Sequence, residues 1–587
     1  MTKAYLDDLN LFSLLKILFR HPTVEHFIIL NDLSWRGKII LSILDLMGIC
    51  ITSPTFFYGS IRNKHGESLY MSSRREASSE AFRYSEILMK GLNLNYCGEN
   101  QLNGINVVKL FIAKRTWDEM EYYIKIFNYI KNKEGVSKKF IVVLRSSNTI
   151  KEEFLRSKYN QFEIYFRKNI SFKRLKIWTK KIIKFFLGLK IKNKVNLKNH
   201  QSTTVLVASH AISLDKNDNP FPNWFKKSLF KNFHIINTSR QKLKTTKKKL
   251  YENGITLEEN FFNIYSSINY SRFTLSDSQN IPYVLKHQLN DFFKLACGLK
   301  NYLMKIKCDL FLFIDAQEPI TDAVQLISKM INVETRCIQY TNMGIRVPLM
   351  ITSADVFFSV SEKFKNLFYW KNIGPKNFYS LGYIFKNESQ IEFQSIKKKL
   401  KENGVDKIIV YFDESVQKDK WGCFSQKEIL DEIELLAKTV INNRNIAIIL
   451  KPQFVFNTVK NYNSKTINQA FSTQRFFEIS RGEYRNDITP WSISKYADYC
   501  IGNLVGATAA LECALRNKKV ILINSKGYIH DHNSIYKKAE VIFPSLEIGI
   551  NKILEGDKKI GDWSSIINEL VGENSNIDLS KIDGNLK

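Results

Sequence analysis

The chain has 587 residues, with 87 Lys and Arg against 57 Asp and Glu, giving a net charge of +30. Hydrophobic residues make up 44% and charged residues 25%, an ordinary globular balance that excludes a mainly disordered chain. With only 25 Gly and 11 Pro it is not a fibrous or linker-dominated protein, and its length allows about two to four domains.

Residues 1 to about 170 mix helix and strand. The opening residues carry Asp7 and Asp8, where a secretory signal would need basic ones. Phe27 to Leu30 reads as a buried strand. The longest apolar stretch, Ile39 to Thr52, is interrupted by Asp45 and is too short to span a bilayer. Trp117 to Asn132 reads as a helix and Phe140 to Leu144 as a strand. No chemical motif stands out here, so the role of 1–170 is open, with acceptor or partner binding as one use. The eight cysteines contain no CxxC and no zinc spacing, which points to reduced, buried thiols in a cytoplasmic protein.

Residues 171–200 hold ten Lys or Arg and no acid. Leu175, Trp178, Ile182, Phe186 and Leu189 recur at helical steps, so a helix would gather them on one stripe. Such a basic amphipathic linker or surface helix fits an anionic membrane face, or docks on its own domain. No nucleic-acid-binding signature supports a nucleic-acid partner.

From 201 to 388, strand and helix alternate. Val205 to Ala208 leads into Ser209 and His210. Leu310 to Ile314 ends at Asp315, with Glu318 opening the helix Ile320 to Met330. Arg336 to Tyr340 and Asp355 to Val360 are further strands, the second leading to a helix after Ser361. From 389 to 587 the pattern repeats. Lys407 to Phe412 runs into Asp413 and Glu414, a helix covers Gln426 to Asn442, and Ile446 to Leu450 ends at Lys451. Tyr499 to Gly502 precedes a turn and a helix, Ala507 to Leu515, and Val520 to Asn524 follows. Continuous apolar strands between helices predict parallel sheets covered on both faces. Two such domains place a cleft between the C-terminal ends of their strands.

Chemistry concentrates at strand ends. Asn503, Gly506, Ala507 and Thr508 form a small-residue turn that lets a phosphate approach free N–H groups, with Thr508 as helix cap or phosphate ligand. Glu512, one turn on, has the reach to accept a ribose or sugar hydroxyl. Lys451 is placed to neutralise a donor phosphate, or is a surface lysine at a strand end. His210, Asp315 and Glu318 are the candidate general bases, the alternatives being a loop or core histidine and helix caps. Asp413 and Glu414 occupy the matching place in the last region. The run His530-Asp531-His532 is a weak metal pattern, and no metal site is assigned.

The stretch Asp498-Tyr499-Cys500-Ile501-Gly502-Asn503, then Gly506-Ala507-Thr508-Ala509-Ala510-Leu511-Glu512-Cys513-Ala514-Leu515, then Lys518 to Ile523, resembles the donor-binding half of GT-B glycosyltransferases. More narrowly it is similar to bacterial capsule and O-antigen (lipopolysaccharide) biosynthesis proteins. Asn342-Met343-Gly344, Leu381-Gly382-Tyr383, Phe412 to Ser415 and Ile449 to Gln453 add to the likeness, which covers roughly 200–545. Ile384 stands where such proteins usually have Pro, and Gln339-Tyr340-Thr341 where Gln-His-Gly is common. The resemblance implies two Rossmann-like α/β domains facing a cleft, with an additional N-terminal α/β region. It implies a nucleotide-sugar donor, a glycan or lipid-linked acceptor, metal-independent transfer without a cofactor, and a cytoplasmic or peripheral membrane location. A nucleotide-sugar epimerase or hydrolase of the same fold, and a non-catalytic scaffold of a polysaccharide assembly complex, are the alternatives.

Overall fold

A computed structural model describes residues 2–7, 9, 11–33, 35–46, 48–90, 101–135, 140–167, 203–208, 233–237, 256–258, 281–341, 344–383, 394–414, 420–452, 464–479, 488–572 and 582. The basic segment 171–200 and His210 lie outside them.

The first unit runs β1 (Thr2–Leu6), α1 (Leu11–Arg20), β2 (Val24–Ile29), α2 (Trp35–Leu46), β3 (Cys50–Thr52), α3 (Leu69–Lys90), α4 (Gln101–Glu134), β4 (Phe140–Arg145), α5 (Glu152–Lys158) and β5 (Phe162–Arg167). The second has β6 (Thr203–Ala208), β7 (Phe233–Asn237), β8 (Thr256–Glu258), α6 (Tyr283–Lys305), β9 (Cys308–Ile314), α7 (Pro319–Ile327), β10 (Glu334–Ile338), β11 (Val356–Ser359) and β12 (Asn377–Ser380). The third begins α8 (Gln394–Glu402), β13 (Lys407–Phe412), α9 (Gln426–Asn442), β14 (Ile446–Lys451), α10 (Lys465–Ser472), β15 (Phe476–Glu478) and α11 (Pro490–Ser494). It continues β16 (Tyr499–Asn503), α12 (Thr508–Ala514), β17 (Lys519–Ile523), α13 (Asn533–Tyr536), β18 (Ile542–Phe543), α14 (Leu546–Glu555) and α15 (Ile567–Val571).

The sheets have the orders β3-β2-β1-β4-β5, β8-β7-β6-β9-β10-β11-β12 and β15-β14-β13-β16-β17-β18. Every pairing described within them is parallel. All three share one logic. The first strand sits centrally, the next two extend to one side, and the chain then crosses to the other. This is the Rossmann order, and it opens a crevice where the direction reverses: β1/β4, β6/β9 and β13/β16. The expected pair of Rossmann-like domains is therefore present, and the additional N-terminal region is a third sheet of the same design.

Burial on both faces explains the unbroken apolar strands. All six residues of β14 are buried. In the first sheet successive residues split between two cores: Tyr5 joins the large cluster that continues into the other units, while Ala4 and Leu6 join a separate one. Helix α9 starts at a reciprocal Ser425–Glu428 capping box.

Several expectations change in detail. The helix expected over Trp117–Asn132 is the second half of α4. The segment after Ser361 is a 3-10 helix, Glu362–Phe368, capped by the Ser361 side chain. The α-helix expected from Ile320 to Met330 ends at Ile327 and closes in a 3-10 turn. The thiols are not uniformly buried: Cys50, at the start of edge strand β3, is exposed, because only one neighbouring strand covers it.

Candidate functional site

The last residues of β13 and β16 meet at the third unit's crevice. Strand β16 is buried throughout. Gly502 lets α12 pack close behind it, a Cβ there lying 3.5 Å from that of Ala510. Asn503 ends the strand 2% exposed. Among the described residues, neither its amide nitrogen nor its amide oxygen has a hydrogen-bond partner. A buried amide left in that state costs free energy.

The turn Leu504–Gly506 follows. A Cβ on Gly506 would overlap the carboxylate of Glu414, so glycine is what admits that side chain against the turn. Glu414 thus reaches across from the end of β13, and Asp413 precedes it just after the strand. Lys451, closing β14, is buried on the same sheet edge. Asp413, Glu414, Lys451, Asn503 and Gly506 therefore share the C-terminal edge. Ala507 is buried and occupies the N-cap position without a side-chain cap. Thr508, offered by the sequence as helix cap or phosphate ligand, is the first helical residue and not the cap, and α12 is seven residues long.

Glu512 sits one turn inside and is 3% exposed. Its oxygens accept from the Tyr383 hydroxyl at 2.6 Å and from the Trp491 N–H at 2.9 Å. Burial raises its pKa to about 7, against the pull of those two donors toward the carboxylate. Sequence reasoning offered Glu512 to a sugar or ribose hydroxyl. Here it ties α12 to Tyr383, at the exit of the second unit, a partner 129 residues away.

In the second unit Asp315 follows β9 at the crevice edge, with φ +47°. Asp tolerates this left-handed conformation better than most residues. Its carboxylate accepts from the Tyr340 N–H at 3.0 Å and from the Thr341 hydroxyl. Burial raises its pKa and those hydrogen bonds oppose the rise. Burial raises the pKa of the Tyr383 hydroxyl, and the charges of Glu512 and Asp315 add to the rise. Glu318 is the N-cap residue of α7, yet its side chain caps nothing, and its carbonyl accepts from Thr321.

Sequence reasoning missed the group that fixes this loop. Lys114, on α4 of the first unit, is fully buried and donates to Asp322 at 2.7 Å and to the Ala316 carbonyl. Burial pushes Lys114 below and Asp322 above their ordinary values, against their mutual attraction. A lysine inside a long helix carries no sequence mark of such a task.

His530 and His532 lie close together in the third unit, ring centroids 5.1 Å apart. His530 Nδ1 accepts from the His532 N–H at 3.0 Å, and both Nε2 atoms are buried without a partner among the described residues. Burial lowers their pKa values to about 3 and about 4. The neutral His530 ring packs on Gly344 while the Asp531 N–H bonds the Gly344 carbonyl, joining the second and third units. Among the described residues no three His, Cys, Asp or Glu stand together as metal ligands, and no helix is long and apolar enough to cross a membrane.

No family model matches the chain, and no curated protein sequence does. Among solved structures, it is similar to UDP-GlcNAc 2-epimerase from Neisseria meningitidis bound to UDP-GlcNAc, at 12% identity over 65% of this chain and 98% of that one, with TM-score 0.39. A glycosyltransferase from Rickettsia africae ESF-5 is 14% identical over 65% and 96%, with TM-score 0.38. UDP-GlcNAc 2-epimerase from Methanocaldococcus jannaschii, in complex with UDP-GlcNAc and UDP, is 12% identical over 63% and 98%, with TM-score 0.33. Likenesses this distant identify neither substrate nor reaction for this chain.

Proposed function

We propose that the cleft between the second and third units binds a nucleotide-sugar and transfers its sugar to a glycan or lipid-linked acceptor. The observation that carries the reading is Asn503: a buried, unpartnered amide at the reversal point of a Rossmann-order sheet, with Glu414 held on Gly506 beside it. Its amide offers a donor and an acceptor to the nucleotide-sugar. Lys451 at the same edge supplies positive charge for a departing phosphate, which gives the reaction no need of a metal. Asp315, with His210 and Glu318 as further candidates, takes the acceptor's proton from the second unit's side. Burial favours the neutral carboxyl of Asp315, which brings it toward the range of a working base.

The basic segment 171–200 would hold the chain at an anionic membrane face, where lipid-linked surface glycans such as capsule or O-antigen precursors are built. Sedimentation with phosphatidylglycerol vesicles tests that part, and loss of binding on neutralising Lys180, Lys181 and Lys184 is the expected result.

Epimerisation of the donor is the second reading, favoured by the carboxyls Asp315 and Glu414 at the two crevices. The readings part on one experiment. Donor turnover is followed by mass spectrometry with and without added glycan acceptor, in the presence of EDTA. Nucleotide release that depends on acceptor and ignores EDTA supports transfer. Interconversion of the sugar without acceptor supports the epimerase.

A further inference from the structure

The transferase reading uses nothing of the first unit's own crevice, yet its sheet has the same strand order and the same reversal point. There Asp7, just after β1, lies 3.3 Å from the guanidinium of Arg145, the last residue of β4. Tyr122 on α4 donates to Asp7 and accepts from Asn31 at 3.0 Å. Beside Tyr122 opens a pocket of about 370 Å³, a size ordinary for small-molecule sites. Its walls are α3, one face of α4 and the Trp421–Gly422 turn of the third unit.

Two cations and two carboxylates line it. Glu121 pairs with Lys125 at 2.6 Å and lies 3.6 Å from Arg74. Arg74 also stands over the Trp117 ring at 4.8 Å, and Lys125 over the Tyr70 ring at 4.1 Å. Asp118 is exposed and lines the pocket, where burial and Glu121 raise its pKa against the pull of Arg74, Arg115 and Lys125. A phosphate would need an excess of cations, and here the cations already face a carboxylate or an aromatic ring. Balanced donors and acceptors beside aromatic walls match a neutral ring whose hydroxyls both donate and accept.

We propose that this pocket is a binding site for an uncharged saccharide unit. It stands whether or not the cleft between the second and third units transfers sugar. The test is saturation-transfer NMR on the full chain with glucose, galactose, N-acetylglucosamine and lactose, and with glucuronic acid and UDP as charged probes. Wild type, Asp118→Ala and Asn503→Ala are compared, with circular dichroism verifying each fold. At least one neutral sugar should give ring-proton signals in wild type and in Asn503→Ala. Asp118→Ala should weaken its binding about tenfold or more, the loss of a charged hydrogen-bond partner. No signal from any neutral sugar overturns the proposal. So do signals that Asp118→Ala leaves intact, and displacement of a neutral sugar by glucuronic acid but not by another neutral sugar.

Discussion

Asn503 shows what a buried amide costs when neither of its polar atoms is paired among the described residues. An unsatisfied buried amide is worth about 1–3 kcal/mol of lost stability. Asn503→Ala should therefore leave the chain as stable as wild type, or about 1 kcal/mol more so by urea melts, while abolishing nucleotide binding. Glu512 makes a second prediction, through pH. Its folded pKa of about 7 lies above the ordinary carboxylate value. Below about pH 4 both folded and unfolded forms are protonated, and the slope is flat. Between there and pH 7 only the unfolded form ionises, so stability falls as pH rises, by roughly 3 kcal/mol in all, and levels off above 7. Glu512→Gln should flatten that part of the urea-midpoint profile. Tyr383→Phe should cost more at pH 8 than at pH 4, because its hydroxyl holds the carboxylate more strongly than the acid.

Helix α4 joins the units at the scale of elements. Lys114 reaches from it to Asp322 at the start of α7, beside the loop that carries Asp315. Lys114→Met should destabilise by about 3–5 kcal/mol, since Asp322 is left buried and alone, and adding Asp322→Leu should recover most of the loss. A double-mutant cycle in denaturant measures both. The elements themselves are well marked in the sequence. Runs such as Leu310 to Ile314 and Ile446 to Leu450 are apolar throughout because both faces are covered. The first half of α4 is hidden because Asn103, Gly104 and Asn106 are weak helix formers that only tertiary packing overrides. The residues of the sheet edge can be picked out because charge and amide groups break apolar runs at Asp315, Asp413, Lys451 and Asn503. The same mark stands at Asp7, after Ala4 to Leu6, and it points to the first unit's crevice. Partners such as Tyr383 for Glu512 are not legible, since nothing local in a sequence encodes a contact 129 residues distant.

Across the whole molecule, one apolar core runs from Tyr5 to Ile582 through all three units. The first unit is bolted to the third by backbone hydrogen bonds, Tyr58 N–H to Lys420 and Gly59 N–H to Gly422 at 2.7 and 2.9 Å. Gly59 is required there, because a Cβ would run into the Cys423 backbone. Trp421 packs among Phe56, Tyr58, Tyr122 and Tyr129 and donates to Asn31 at 2.7 Å. Calorimetry should show one cooperative transition in wild type. Trp421→Ala, at a cost of about 3–5 kcal/mol, should split off an earlier transition for the first unit. The same connections hold the sheet edges of the second and third units, so the proposed binding would report on the assembled molecule. The most direct measurement is the melting midpoint of wild type and Asn503→Ala with UDP, GDP, CMP and their sugars, since a ligand of the native state raises the midpoint by mass action. A rise with one nucleotide family in wild type, absent in Asn503→Ala, is the predicted result. No rise with any of them, or a rise that Asn503→Ala retains in full, would contradict a nucleotide-sugar site at this edge.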